Sequence, residues 1–175
     1  MKGPHVNIEF KARCSDLERV RIILKERGAD FKGVDHQVDT YFNVRKGRLK
    51  LREGSIENHL IFYERQDTSG SKQSNVILFP TEPDSIIKSM LTKSNGILAV
   101  VDKKREIYFI DNVKFHLDTV EGLGSFVEVE AIDYEGSMGV DKLKAQCDSY
   151  QELLKIRSED FIAHSYSDMI LQGNL

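Results

Sequence analysis

Tryptophan is absent from this 175-residue chain, cysteine occurs twice and proline three times. Cys14 and Cys147 lie far apart and lack metal-ligand spacing. They build neither a disulfide framework nor a cysteine metal site, so a reduced, cytoplasmic chain is expected. No run of 18 apolar residues is present, which excludes a helical membrane span. The first residues lack the apolar core of a secretion signal. Neither sign of charge dominates: the net charge is −3, so no global positive field recruits nucleic acid, and any basic site must be local. Repeats, low-complexity tracts and long linkers are also missing. Pro4, Pro80 and Pro83 fall near an end or a turn, and the length suits a single domain over 1–175.

What the chain does contain is alternation. In Asn7-Ile8-Glu9-Phe10-Lys11-Ala12-Arg13 successive side chains of a strand point to opposite faces. Ile8, Phe10 and Ala12 then form an apolar face, while Asn7, Glu9, Lys11 and Arg13 set an acid beside two bases. Ser15 or Asp16 caps a following helix whose buried stripe is Leu17, Val20, Ile23 and Leu24, and Gly28 stops it. Strands are expected near 34–44, 47–53, 58–66, 73–80, 97–110, 112–120 and 124–133. Pro83-Asp84 opens a short helix that buries Ile86, Ile87, Met90 and Leu91. A helix over 139–157 turns Val140, Leu143, Cys147, Tyr150 and Leu154 inward, and a last one covers 158–171. The pattern is α+β, dominated by antiparallel strands at hairpin spacing.

The polar faces of these strands share a character. Arg48, Lys50 and Arg52 lie on one face, with Leu49 and Leu51 opposite. Ile61, Tyr63 and Arg65 align, as do Gln37, Asp39 and Tyr41, Lys103 and Arg105, His116 and Asp118, and Glu128 and Glu130. One such face alone reads as a solvated sheet surface. Together the faces are blocked by charge, and converging blocks are costly: two like charges about 5 Å apart repel by roughly 3 kcal/mol at an effective dielectric near 20. A polyanion with a divalent cation offsets both blocks, the bases holding phosphate oxygens and the glutamates offering hard oxygen ligands. Ion pairing between the blocks, with no ligand, is the alternative.

These motifs resemble the CYTH, or triphosphate tunnel metalloenzyme, superfamily. Its ExExK signature stands here as Asn7-Ile8-Glu9-Phe10-Lys11, with the first acid replaced. The class IV adenylate cyclase-like branch is most similar. Its pattern continues in Gln37 to Phe42, Gly47 to Arg52, Leu60 to Arg65, Lys103-Lys104-Arg105, His116 to Gly124, Phe126 to Glu130 and Ser165-Tyr166-Ser167-Asp168-Met169. The resemblance spans residue 5 to about 171. It implies an eight-stranded antiparallel β-barrel, the triphosphate tunnel, with helices packed outside. By the same resemblance Lys11, Arg13, Arg48, Lys50, Arg52, Arg65, Lys72, Lys103 and Arg105 bind the triphosphate. Lys11, Arg65, Lys103 and Arg105 carry the catalytic charge stabilisation, and Glu9, Glu128, Glu130 and Asp118 hold Mg²⁺ or Mn²⁺. Tyr41 and Tyr63 line the tunnel.

Blander readings stand beside these. Lys72 sits on a polar turn and reads equally as solvated, Asp118 as an arginine's partner, His116 as a structural hydrogen bonder, and Ser165 and Tyr166 as helix packing. Asn7 keeps a carbonyl oxygen for a cation but supplies no charge. The implied reaction converts ATP to cyclic AMP and pyrophosphate. A triphosphatase acting on thiamine triphosphate or inorganic triphosphate, and a non-catalytic triphosphate-binding module, remain open. No aromatic-basic stripe supports nucleic-acid binding, although an RNA 5′-triphosphate end stays open as a ligand. Cyclase-like relatives point to a homodimer.

Overall fold

The computed structural model describes residues 4–173; residues 1–3 and 174–175 of the expected domain lie outside it. Eight strands close into one antiparallel barrel: β1 (His5–Arg13), β2 (Asp30–Phe42), β3 (Arg48–Gly54), β4 (His59–Arg65), β5 (Lys72–Pro80), β6 (Ile97–Ile110), β7 (Val113–Val120) and β8 (Gly124–Asp133). Their order around the barrel is β1-β5-β4-β3-β2-β6-β7-β8. β1 closes the ring by pairing with β5 on one side and β8 on the other, so every strand has two neighbours and no edge is left unpaired.

The apolar half of the alternation faces outward. Ile8, Phe10 and Ala12 of β1 join Phe115, Leu117, Val127 and Val129 in a core outside the barrel wall. Helix α1 (Leu17–Glu26) adds Val20 and Leu24 to it, and α3 (Val140–Leu153) adds Leu143 and Cys147. Asp16 caps α1 through the Arg19 N–H. Each strand on this side is therefore buried on both faces. The polar face is inside the barrel, where a surface sheet would have turned it to water.

Three expectations are corrected. Helix α2 (Ile87–Asn95) starts after the Pro83-Asp84 turn and buries none of its residues: Ile86 and Met90 are 72% and 61% exposed, and Ile87 and Leu91 half-buried. A helix of about two and a half turns lying against β2 covers only a narrow strip of wall. Val140, at the start of α3, is likewise exposed. The last helix is broken into a 3₁₀ turn (Ser158–Asp160), an extended stretch, and α4 (Tyr166–Gly173). Extended Phe161 bridges Ala12, and Ile162 N–H donates to Lys11 C=O, so pairing with the end of β1 replaces helical hydrogen bonds.

Candidate active site

The barrel interior is one cavity lined by six bases (Lys11, Lys50, Arg52, Arg65, Arg105, Lys114) and five carboxylates (Glu9, Asp39, Glu57, Glu128, Glu130). The near-balance is expressed as ion pairs. Asp39 accepts from both Arg52 Nε and Nη2 at 2.9 Å, from Lys50 at 3.0 Å and from Lys103 at 2.8 Å. Arg105 grips Asp118 bidentately at 2.7 and 2.6 Å and reaches Glu128 at 3.0 Å. Arg65 donates to Glu9 at 2.5 Å, and Lys11 lies 3.3 Å from Glu128. The two charge blocks thus compensate each other across the lumen without a ligand, which removes most of the repulsion expected from either block alone.

Compensation is incomplete at defined atoms. Arg65 Nε and Nη2, His116 Nε2 and Asn7 Oδ1 are buried without a hydrogen-bond partner. Arg65 is ion-paired with Glu9 and its Nε lies 4.0 Å from Asp67, but Nε and Nη2 have no hydrogen-bond acceptor, a desolvated arrangement that an entering anion relieves.

Burial and neighbours sort the protonation states. Burial opposes ionisation of Asp39 and Glu128, but Arg52 and Lys103 beside the first, and Lys11 and Arg105 beside the second, hold both well below the usual carboxylate range. Glu130 goes the other way: burial, then the negative charges of Glu128 and Glu9, push it up to about 7. Burial pulls His116 down to about 3, aided by Arg105 and Lys114, so its ring is neutral at physiological pH. Burial also lowers Lys103 to about 7 despite Asp39.

His116, Glu128 and Glu130 bring one ligand atom each to within 4.8 Å of one another. His116 Nδ1 lies 3.2 Å from Glu128 and 4.0 Å from Glu130. A neutral imidazole with two carboxylates is a donor set for a divalent cation, and the unpartnered Asn7 Oδ1 lines the same cavity. The residues present therefore fit Mg²⁺ or Mn²⁺.

One end of the barrel is closed by the C-terminal segment. Tyr166 donates its hydroxyl to Asp118 at 2.7 Å, and Lys11 Nζ lies 3.9 Å above its ring. Lys72 donates to the carbonyls of Thr68, Ile162 and Ala163. Arg48 bridges Asp67 and Asp168 at 2.7 and 2.9 Å. At the opposite mouth exposure rises: Glu57, Lys114, His59 and Leu78 are half-buried, and Tyr134 is 39% exposed.

Of the nine bases expected to hold triphosphate, Lys11, Lys50, Arg52, Arg65 and Arg105 line the cavity. The other four are engaged elsewhere. Arg13, at the end of β1, is exposed, donating to Leu123 C=O and lying over Phe126. Arg48 and Lys72 hold the C-terminal segment, and Lys103 sits behind Asp39. Among the expected metal ligands Glu128 and Glu130 converge. Glu9 is taken by Arg65, and Asp118 serves Arg105 and Tyr166. His116 makes its structural hydrogen bond to Glu128 through Nδ1, and the same nitrogen would join the donor cluster in the tautomer that carries its proton on Nε2. Tyr41 and Tyr63 line the cavity, and so do Ser165 and Tyr166.

The cavity also holds Lys114 and Glu57, to which the sequence motifs give no role. Lys114 was legible, since it shares the inward face of β7 with His116 and Asp118. Glu57 was not, because it lies on the loop between β3 and β4, where no periodicity applies.

A closed antiparallel barrel with an interior of paired bases and carboxylates narrows the choice of family, and one comparison decides it. The CYTH domain family model matches residues 5–166. The chain belongs to the CYTH domain family. Among relatives of this CYTH chain, a provisionally named adenylate cyclase of Methanocaldococcus jannaschii is 25% identical over 173 residues, covering 94% of this chain and 98% of that protein. The solved PH1012 protein of Pyrococcus horikoshii is also 25% identical, with a TM-score of 0.79 over 93% of this chain and 98% of that one. A Hippeastrum protein provisionally named an adenylyl cyclase, and described as having a dominant triphosphatase activity, shares the fold at 13% identity. Its TM-score is 0.66, over 98% of this chain and 97% of that one. No helix among the described residues is long and apolar enough to cross a membrane.

Proposed function

We propose that this CYTH chain binds a triphosphate, ATP first among them, in the barrel together with Mg²⁺ or Mn²⁺, and converts it to cyclic AMP and pyrophosphate. The observation that carries the binding half is Arg65: a buried guanidinium, two of whose nitrogens lack a hydrogen-bond acceptor, inside a cavity of further bases. Lys11, Arg65 and Arg105 give the phosphoryl oxygens charge-assisted donors fixed on rigid strands. Catalysis of this kind is mostly positioning and electrostatics. His116, Glu128 and Glu130 would hold the cation, which supplies Lewis-acid polarisation of the phosphate oxygens when bound.

The Hippeastrum protein's described activity favours a second reading, hydrolysis, in which water takes the place of the ATP hydroxyl as nucleophile. The cyclase reading is supported by the 25%-identical relative's name and by the extended match to the cyclase-like motifs. Cytoplasmic location and a homodimer belong to the same proposal.

One panel tests it: ATP, thiamine triphosphate and tripolyphosphate, each with Mg²⁺ or Mn²⁺. Cyclic AMP from ATP is the expected product. Inorganic phosphate instead supports hydrolysis, and neither product reduces the chain to a binding module. Absence of any melting-temperature rise with every polyphosphate, with or without metal, overturns the tunnel reading itself.

A further inference from the structure

Four of the five carboxylates in the cavity project from strands: Glu9 from β1, Asp39 from β2, Glu128 and Glu130 from β8. Glu57 comes from the loop between β3 and β4. It nevertheless reaches across the mouth. One oxygen accepts from Lys114 at 2.5 Å, and the other from Arg52 and Gln37, each at 3.2 Å. Arg52 and Lys114 stand on β3 and β7, which are separated in the barrel by β2 and β6. A carboxylate bridging two bases from non-adjacent strands takes the partners that a phosphate would take.

The loop carrying Glu57 is held from beneath. Asp35, fully buried on β2, accepts the backbone N–H of Ser55, Ile56 and Glu57 at 2.7, 2.9 and 3.0 Å, and the Ser55 hydroxyl at 2.9 Å. Gly54 packs so closely on this carboxylate that a Cβ there would lie 2.7 Å from it. The backbone of the loop is therefore fixed, while the Glu57 side chain, on rotatable bonds and 17% exposed at the mouth, can turn outward.

We propose that Glu57 is a resident counter-anion: it neutralises Arg52 and Lys114 until the outer phosphate of a triphosphate displaces its side chain, so that it selects ligands by their length. This rests on the triphosphate reading of the tunnel. An anion confined to Lys11, Arg65 and Arg105 leaves Glu57 in place. Only a longer chain, reaching Arg52 and Lys114 with a higher charge than one carboxylate, competes for them.

Glu57→Gln keeps the shape and removes the charge. Calorimetric titration of the full chain with orthophosphate, pyrophosphate and tripolyphosphate, at constant Mg²⁺, compares it with wild type. Tripolyphosphate is expected to bind at least about tenfold tighter to the variant, a difference near 1.4 kcal/mol, with orthophosphate changed less than about twofold. Unchanged or weaker tripolyphosphate binding overturns the proposal, as does equal tightening of all three anions, which would mark a general field. Wild-type binding of none of them removes the tunnel reading and this proposal together. Binding by wild type without tightening in the variant removes only the proposal. Wild-type hydrogen exchange gives an arm independent of any variant. The amides of Ser55, Ile56 and Glu57 are expected to keep their protection when tripolyphosphate binds; loss of that protection overturns the proposal, because the loop and not the side chain would then move.

Discussion

Asp39 gathers three cations inside the barrel, and Asp39→Asn measures what that pairing contributes. Its side chain is 2% exposed and accepts four hydrogen bonds from three cations, Arg52, Lys50 and Lys103. Removing one partner of a buried ion pair costs about 3–5 kcal/mol, because the charge left behind is neither solvated nor paired. Here three charges are left, but they do not respond alike. Arg52 cannot lose its proton. Lys103, already drawn down to about 7, sheds its proton once Asp39 is neutral, and so caps its own share. The middle of the range, about 4 kcal/mol, is therefore expected. For a domain of this size that lowers the melting temperature by roughly 8–16 °C.

The pH dependence carries a sign. Asp39 is depressed in the fold, so its contribution is fully present above its unfolded value and is lost as pH falls through the lower folded one. Lys103 is also depressed, so the unfolded chain binds its proton over a range where the folded chain does not, and there stability rises with pH. Without Asp39 that range begins at lower pH. The gap between wild type and Asp39→Asn should thus be wider near about pH 5 than near about pH 8. Thermal melts followed by circular dichroism at both pH values read this directly. A fall of less than about 3 °C at either pH, short of even 2 kcal/mol, or a gap that widens with pH, refutes the electrostatic account of the interior.

The other predictions concern the ligands and one close contact. Arg65→Gln removes the guanidinium whose buried Nε and Nη2 lack a hydrogen-bond acceptor; triphosphate affinity should drop by about ten- to a hundredfold, the worth of charged hydrogen bonds, as read by calorimetry. Mn²⁺ affinity should rise with pH up to about 7 and level off above it, as Glu130 must lose its proton to coordinate; Glu130→Ala should abolish that dependence along with turnover. Asn7→Glu puts an acid where a buried, unpartnered carbonyl now stands, and should tighten Mn²⁺; unchanged affinity places Asn7 outside the metal site. Gly54→Ala drives a methyl into Asp35 and should cost about 1–3 kcal/mol in a denaturant melt.

Strand positions were legible because period-two alternation is a local property. The strands over 97–110 and 124–133 fall where the sequence places them, and others shift by one to four residues at one or both ends. The inward bases Lys11, Lys50, Arg52, Arg65 and Arg105 follow from the same alternation once one face is assigned to the lumen. Helix α2 departs from its expected burial because an apolar stripe states a preference for burial but not whether a wall exists to provide it. Arg13, Arg48 and Lys72 share the alternation of the site bases yet lie where the barrel ends and the C-terminal segment begins. Their partners there are carbonyls, an aromatic ring and the carboxylates of Asp67 and Asp168.

The sequence by itself determined the eight-stranded plan, the family, and the sorting of charge to one face of each strand, since these depend on neighbours two residues apart and on motif order. Only the tertiary structure decided which charges meet. Glu57 spanning Arg52 and Lys114, His116 joining Glu128 and Glu130, Asp39 gathering three cations, and Tyr166 reaching Asp118 all depend on barrel closure and register. These join atoms distant along the chain, and no local pattern encodes such distances.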